Sequence, residues 1–136
     1  MQLAIGTTFN YNMPFEDMLA LIKNAGFDTI SVGARRDHSS YHTAEGRKRI
    51  EKLTSKHKIT IDSIHAPLQL QGDISSPDER LRLSGIEAVA NALDACSDLA
   101  VGILILHLNK GFDEGEIEPR IENTAKSVGD ISNYAR

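Results

Sequence analysis

Four times along the chain a short run of apolar and β-branched residues gives way to a segment whose apolar positions recur every three or four residues. Leu3 to Thr8 predicts a first strand, and Met13-Pro14 then opens a helix with Pro in its first turn. Phe15, Met18, Leu19 and Ile22 stand at i, i+3, i+4 and i+7, one apolar helical face, and Gly26 after Ala25 closes it. Thr29 to Gly33 predicts the second strand and Ala34 to His42 a polar loop; a weakly amphipathic helix then begins near Thr43 and carries Ile50 and Leu53. Ile59 to His65 predicts the third strand. Its helix is announced by Ser76-Pro77-Asp78-Glu79, with Ser76 as cap, Pro77 first, Glu79 third, and Ile86, Val89, Ala90 and Leu93 as the buried stripe. Gly102 to His107 is the most apolar run and reads as a fourth strand covered on both faces. The last helix begins near Glu116, with Ile117, Ile121, Ala125 and Val128 on its expected buried face.

Strict alternation of strand and helix implies parallel strands joined by right-handed crossovers. The expected fold is therefore α/β, a (βα)4 parallel sheet in one domain over residues 1–136, with no Gly/Ser linker dividing it. The loops after Thr8, Gly33, His65 and His107 then emerge on one side, at the C-terminal strand ends where such sheets hold their ligands.

Composition narrows the function. The net charge is −4 without a sustained basic run, aromatic residues are 5% and Trp is absent, so a nucleic-acid surface has no support. Cys96 stands alone, which excludes an internal disulfide and fits a reducing compartment. The N-terminus lacks the basic and apolar regions of a secretory signal, and no apolar stretch approaches the ~20 residues of a membrane helix. The expectation is a soluble, cytoplasmic protein with no membrane partner.

Two histidines end strands one βα unit apart: His65 in Ile64-His65-Ala66-Pro67 and His107 after Ile103-Leu104-Ile105-Leu106. By alternation His107 shares a face with Ile105 and Ile103, and His65 with Ser63 and Ile61, while Asp62 faces the helices. If the sheet curves, both imidazoles point into its mouth, where they can ligate a metal, polarise a carbonyl or move a proton. The alternative is two structural histidines, each satisfied by a backbone carbonyl. A second candidate is the loop bearing Arg35, Arg36, His38 and His42, where the guanidiniums suit an anionic substrate group. Against that stand Asp37, which blunts their field, and the plain alternative of a solvated loop. Asn109, Lys110 and Asp113 are candidate substrate contacts or a polar turn; Cys96 reads as core, and His57 lies at the opposite end of the sheet. There is no G-x-G-x-x-G, Walker loop, G-x-S-x-G elbow or C-x-x-C.

With Leu3-Ala4-Ile5-Gly6, Ala25-Gly26-Phe27-Asp28-Thr29-Ile30, Ile64-His65-Ala66-Pro67 with Ser76-Pro77-Asp78-Glu79, and Ile103 to His107, the chain resembles the N-terminal half of a xylose isomerase-like TIM (β/α)8 barrel. That superfamily holds sugar isomerases and epimerases, hydroxypyruvate isomerase, inosose dehydratase and the endonuclease IV group. In the endonuclease branch, histidines placed like His65 and His107 are zinc ligands. In the isomerase and epimerase branch, carboxylates and a His from later strands hold the metal, and such histidines line the substrate pocket. Leu68 replaces a Tyr of the endonuclease branch, and the turn after His107 lacks its Pro-Gly. Ser31-Val32-Gly33 stands where a Glu is common. The resemblance thus favours the isomerase branch over an AP endonuclease fragment.

A whole barrel needs ~250 residues. The expectation is a half-barrel incomplete as an enzyme by itself, with a divalent metal (Mn, Mg or Zn) binding in a complete barrel and a small sugar-like ligand. His65, His107, Arg35 and Arg36 would bind substrate, and His65 and His107 would contribute to the metal site. Unpaired sheet edges predict a homodimer or a complementary second-half chain. A non-catalytic structural or binding module is the rival reading.

Overall fold

Four parallel strands run side by side in chain order: β1 (Ile5–Gly6), β2 (Thr29–Val32), β3 (Thr60–His65) and β4 (Leu104–Ile105). The computed structural model describes residues 3–67, 72–108 and 114–136. Leu68, Asn109, Lys110 and Asp113 lie outside the described residues. The helices are α1 (Phe15–Asn24), α2 (Arg36–Ser39), α3 (Ala44–His57), α4 (Glu79–Asp98) and α5 (Ile117–Tyr134), the last preceded by a 3-10 turn at Glu114–Glu116.

The expected first helix forms, with Pro14 at its N-cap rather than in its first turn, and Phe15, Met18, Leu19 and Ile22 are buried in one core with Ile30 and Val32 of β2. Thr43 caps α3, its hydroxyl accepting from the Gly46 N–H at 2.9 Å. β1 and β4 are shorter than the runs Leu3–Thr8 and Gly102–His107. The polar loop from Ala34 to His42 contains the single helical turn α2, closed by Ser40 in the left-handed region (φ 62°).

Three expectations about the last two helices are corrected. The cap of α4 is Asp78, not Ser76: its carboxylate accepts from the N–H groups of Arg80 and Leu81, while the Ser76 hydroxyl accepts from the Asp78 N–H. A carboxylate at a helix N-terminus makes charge-assisted bonds that a hydroxyl cannot, and this moves the start by two residues. The buried stripe of α4 runs through Gly85, Ala88, Val89, Ala92 and Cys96, with Ile86, Ala90 and Leu93 only half-buried. The helix is turned by about one residue, ~100°, from the expected face. Small residues let it approach the sheet closely, and a reading weighted by bulky side chains overlooks them.

α5 departs most. Ile121 is 64% exposed and Ile117, Ala125 and Val128 are exposed as well, whereas Ser127 and Ile131 are buried. Its inward side is polar: Arg120 bonds Asp73 at 2.7 Å, Asn123 bonds the Ser76 carbonyl at 3.0 Å and the Ser127 hydroxyl bonds the Ile74 carbonyl at 2.7 Å. Periodicity finds an apolar stripe; it does not say what covers it. Among the described residues no helix is long and apolar enough to cross a membrane.

Candidate functional site

The strand register decides which side chains share the inner surface of the sheet. In β2 and β3, Ile30 pairs with Ile61 but Ser31 pairs with Ser63, so Asp62 is an extra residue at a register shift. A bulge of this kind reverses the alternation locally. Ile61 therefore packs against the core and Asp62 is exposed; the expectation that Ile61 shares a face with His65, and that Asp62 faces the helices, is corrected. Ser63 keeps the inner face, its hydroxyl 2.7 Å from that of Ser31 across the strands. In β3 and β4, Ile64 pairs with Leu104 and His65 with Ile105. Parallel partners share a face, and Leu104 and Leu106 pack into the core, so His65, Ile105 and His107 lie together on the other side.

His65 Nδ1 and His107 Nε2 stand 3.4 Å apart. The ring centres are 5.7 Å apart with their planes 21° from parallel. The centre distance exceeds the nitrogen distance by about two ring radii, so the rings meet nitrogen to nitrogen, end-on, rather than face to face. One proton fits between them. If His107 Nε2 carries it, neutral His65 is protonated at Nε2 and His107 Nδ1 is bare; the opposite tautomers reverse both ends. Either way the outer nitrogens are one donor and one acceptor. Burial first, and the neighbouring His107 second, hold the His65 imidazole below its ordinary pKa.

The buried Tyr41 hydroxyl donates to the His65 carbonyl at 3.1 Å, anchoring the strand end from beneath. Burial raises the Tyr41 phenol well above its usual range, so it remains a donor. On the other side a cavity of about 20 Å³, room for one water, is lined by Pro67, Asp73, Ile74 and His107. Its floor requires glycine. Gly72 has φ +146°, and a Cβ there would stand 2.1 Å from the Gly85 backbone nitrogen of α4. Asp73 then holds the loop through the Ser75 N–H and hydroxyl and through Arg120. Burial alone would raise its pKa, but those hydrogen bonds and the Arg120 charge together lower it.

The arginines take other places. Arg35 is exposed, doubly bonded to Asp37 at 3.0 and 3.1 Å, and lies over the Tyr11 ring at 5.5 Å. Arg36 lines a groove with Ser84, Glu87 and Asn91 of α4. His38 contacts the Met13 carbonyl at 2.9 Å between the edges of Tyr11 and Phe15, a structural placement. His57 ends α3, and Cys96 is buried in the core. Tyr41 is the residue that sequence reasoning missed; a tyrosine in a polar segment was its one signal.

A divalent metal asks more of the pair. Nitrogens about 2.0–2.1 Å from a tetrahedral zinc lie roughly 3.3–3.4 Å from each other, so the separation suits one edge of such a site. The end-on orientation holds a proton rather than a cation, and binding would require exposed His107 to turn. Among the described residues no three His, Cys, Asp or Glu side chains cluster as metal ligands. Mg²⁺ and Mn²⁺, which want several oxygens, do not fit these residues alone.

The xylose isomerase-like TIM barrel family model matches residues 19–136. No curated protein sequence matches the chain. Among solved structures, D-psicose 3-epimerase with D-tagatose from Clostridium cellulolyticum H10 superposes with a TM-score of 0.77 at 17% identity, covering 99% of this chain and 48% of that one. 3-Keto-D-glucoside 4-epimerase from E. coli gives 0.76 at 11% identity, over 99% and 52%. L-Ribulose 3-epimerase gives 0.72 at 19%, over 99% and 46%. The chain spans about half the length of the structures it matches. Its four parallel strands with their helices are half of a TIM barrel, and the chain belongs to the xylose isomerase-like TIM barrel family.

Proposed function

We propose that this chain forms the histidine-bearing half of a sugar isomerase- or epimerase-type site, with a small polyhydroxylated carbonyl compound as its ligand. The observation that carries the reading is the end-on His65–His107 pair, 3.4 Å apart at the ends of neighbouring strands. Its outer nitrogens present one donor and one acceptor, a match for a sugar hydroxyl beside a carbonyl. When the outer donor nitrogen gives its proton to the substrate and the outer acceptor nitrogen takes one from it, the shared proton crosses between the rings and the pair is left neutral in the opposite tautomers, so protons given and taken balance. A divalent cation, when bound by a complete barrel, would polarise the substrate oxygens. His65 and His107 would meet it as ligands or orient substrate beside it; Arg35 and Arg36 would engage an anionic group only after leaving their present positions.

The test is a titration of the purified chain with D-tagatose, followed by NMR of the imidazole resonances, with and without Mn²⁺, Mg²⁺ or Zn²⁺. Binding that disappears in His65→Ala and His107→Ala while both variants stay folded supports the site. A second reading, a non-catalytic binding or structural half-barrel, is favoured by the absence of a third metal donor among the described residues. It gains if neither sugar nor metal shifts the histidines.

A further inference from the structure

We infer, on the reading of the histidine pair as a sugar site, that Tyr11 supplies the hydrogen-bonding group that β2 lacks at the mouth of the sheet. Its hydroxyl stands beside His65 as a third contact for the ligand. In the register of β2 and β3, Ser31 pairs with Ser63 and Val32 with Ile64. The next residues along, Gly33 and His65, therefore lie side by side on the face of the two serines. At this level β2 has no side chain of its own, yet Gly33 is buried. Tyr11, from the loop between β1 and α1, covers it. A Cβ on Gly33 would stand 2.6 Å from the Tyr11 hydroxyl oxygen, 3.3 Å from its ring and 2.8 Å from the Thr8 methyl. The phenol thus occupies the space that a side chain at position 33 would need. The Gly33 N–H donates to the Thr7 hydroxyl at 2.8 Å, which ties the end of β2 to the segment that carries Tyr11.

The ring is held from two further directions. His38 meets it edge-on, with ring centres 5.3 Å apart, and His38 is itself fixed at the Met13 carbonyl, 2.9 Å away. The Arg35 guanidinium lies over the ring at 5.5 Å. A ring gripped by an edge contact and a cation, with its oxygen against backbone, is preorganised before any ligand arrives. Among the described residues none hydrogen-bonds the Tyr11 hydroxyl, which leaves it able to donate to one oxygen and accept from another. Neighbouring strands are about 4.8 Å apart, so a ligand of a few carbons resting on His65 also reaches the phenol over β2.

Two substitutions probe the placement. Tyr11→Phe keeps the ring contacts and removes only the oxygen; Gly33→Ala drives a Cβ into that oxygen. Denaturant melts of the native chain, both single variants and the double variant need no ligand. Gly33→Ala should lower the midpoint in the native background and lower it less beside Tyr11→Phe, where the Thr8 methyl is the remaining obstacle. Equal losses in both backgrounds overturn the inference. Titration with D-tagatose, followed by NMR of the imidazole resonances, reads the role: Tyr11→Phe should weaken binding about tenfold, the effect of one hydrogen bond. Binding that is unchanged in Tyr11→Phe but lost in His65→Ala overturns the inference and leaves the sugar site standing. A native chain that does not bind the sugar overturns both.

Discussion

His65 sits where three influences meet: a buried tyrosine holds its carbonyl, a neighbouring imidazole abuts its ring, and the protein partly excludes water from it. Its folded-state pKa lies below the ordinary value, so between those values the unfolded chain binds more protons than the folded one. Stability from this group is therefore complete above about pH 6.5 and is lost as pH falls toward the folded pKa. Denaturant melts at pH 7.5 and 5.5 should show the native protein losing stability on acidification, and His65→Gln should flatten that dependence. An unchanged slope in the variant would place the titration elsewhere. A buried partner gives the second residue-scale test: Tyr41→Phe removes one hydrogen bond to the His65 carbonyl and keeps the ring. The expected loss is about 1 kcal/mol, with weaker sugar binding if the strand end positions the imidazole. The histidines themselves were legible, because strand-end placement follows from a short apolar run. Tyr41 was not, since nothing local in a polar segment reports which carbonyl its hydroxyl reaches.

Among the elements, α4 and α5 show where one-dimensional patterns stop. The start of α4 was legible to within two residues, and its true cap makes a clean test: Asp78→Ala removes two backbone bonds and should destabilise the chain by about 1 kcal/mol. Gly72→Ala asks whether the close approach of the β3–α4 loop to α4 is required. With a Cβ 2.1 Å from the Gly85 nitrogen and φ outside the region open to other residues, a loss of about 2 kcal/mol is expected, read as a lowered denaturation midpoint. The face of α5 was misread because its inward surface is joined by ion pairs and hydroxyls. Arg82, only 2% exposed, bonds Glu79, Ser127 and Asp130 there. An apolar stripe identifies a helix; it does not say which face turns inward.

For the whole molecule, the order of strands and the parallel direction follow from alternation alone, while the bulge at Asp62 depends on contacts far apart in sequence. Ile121 and Leu3 are exposed, and any association that buried them would add free energy in proportion to the logarithm of concentration. Where such association occurs, the melting temperature of the native chain rises with concentration. In Ile121→Asp, where the exposed flank of α5 carries a charge, it should be nearly flat across the same range and should equal the native value at the dilute end. Differential scanning calorimetry at several concentrations reads both. A flat response in the native chain would mean that the exposed flank of α5 is tolerated in water.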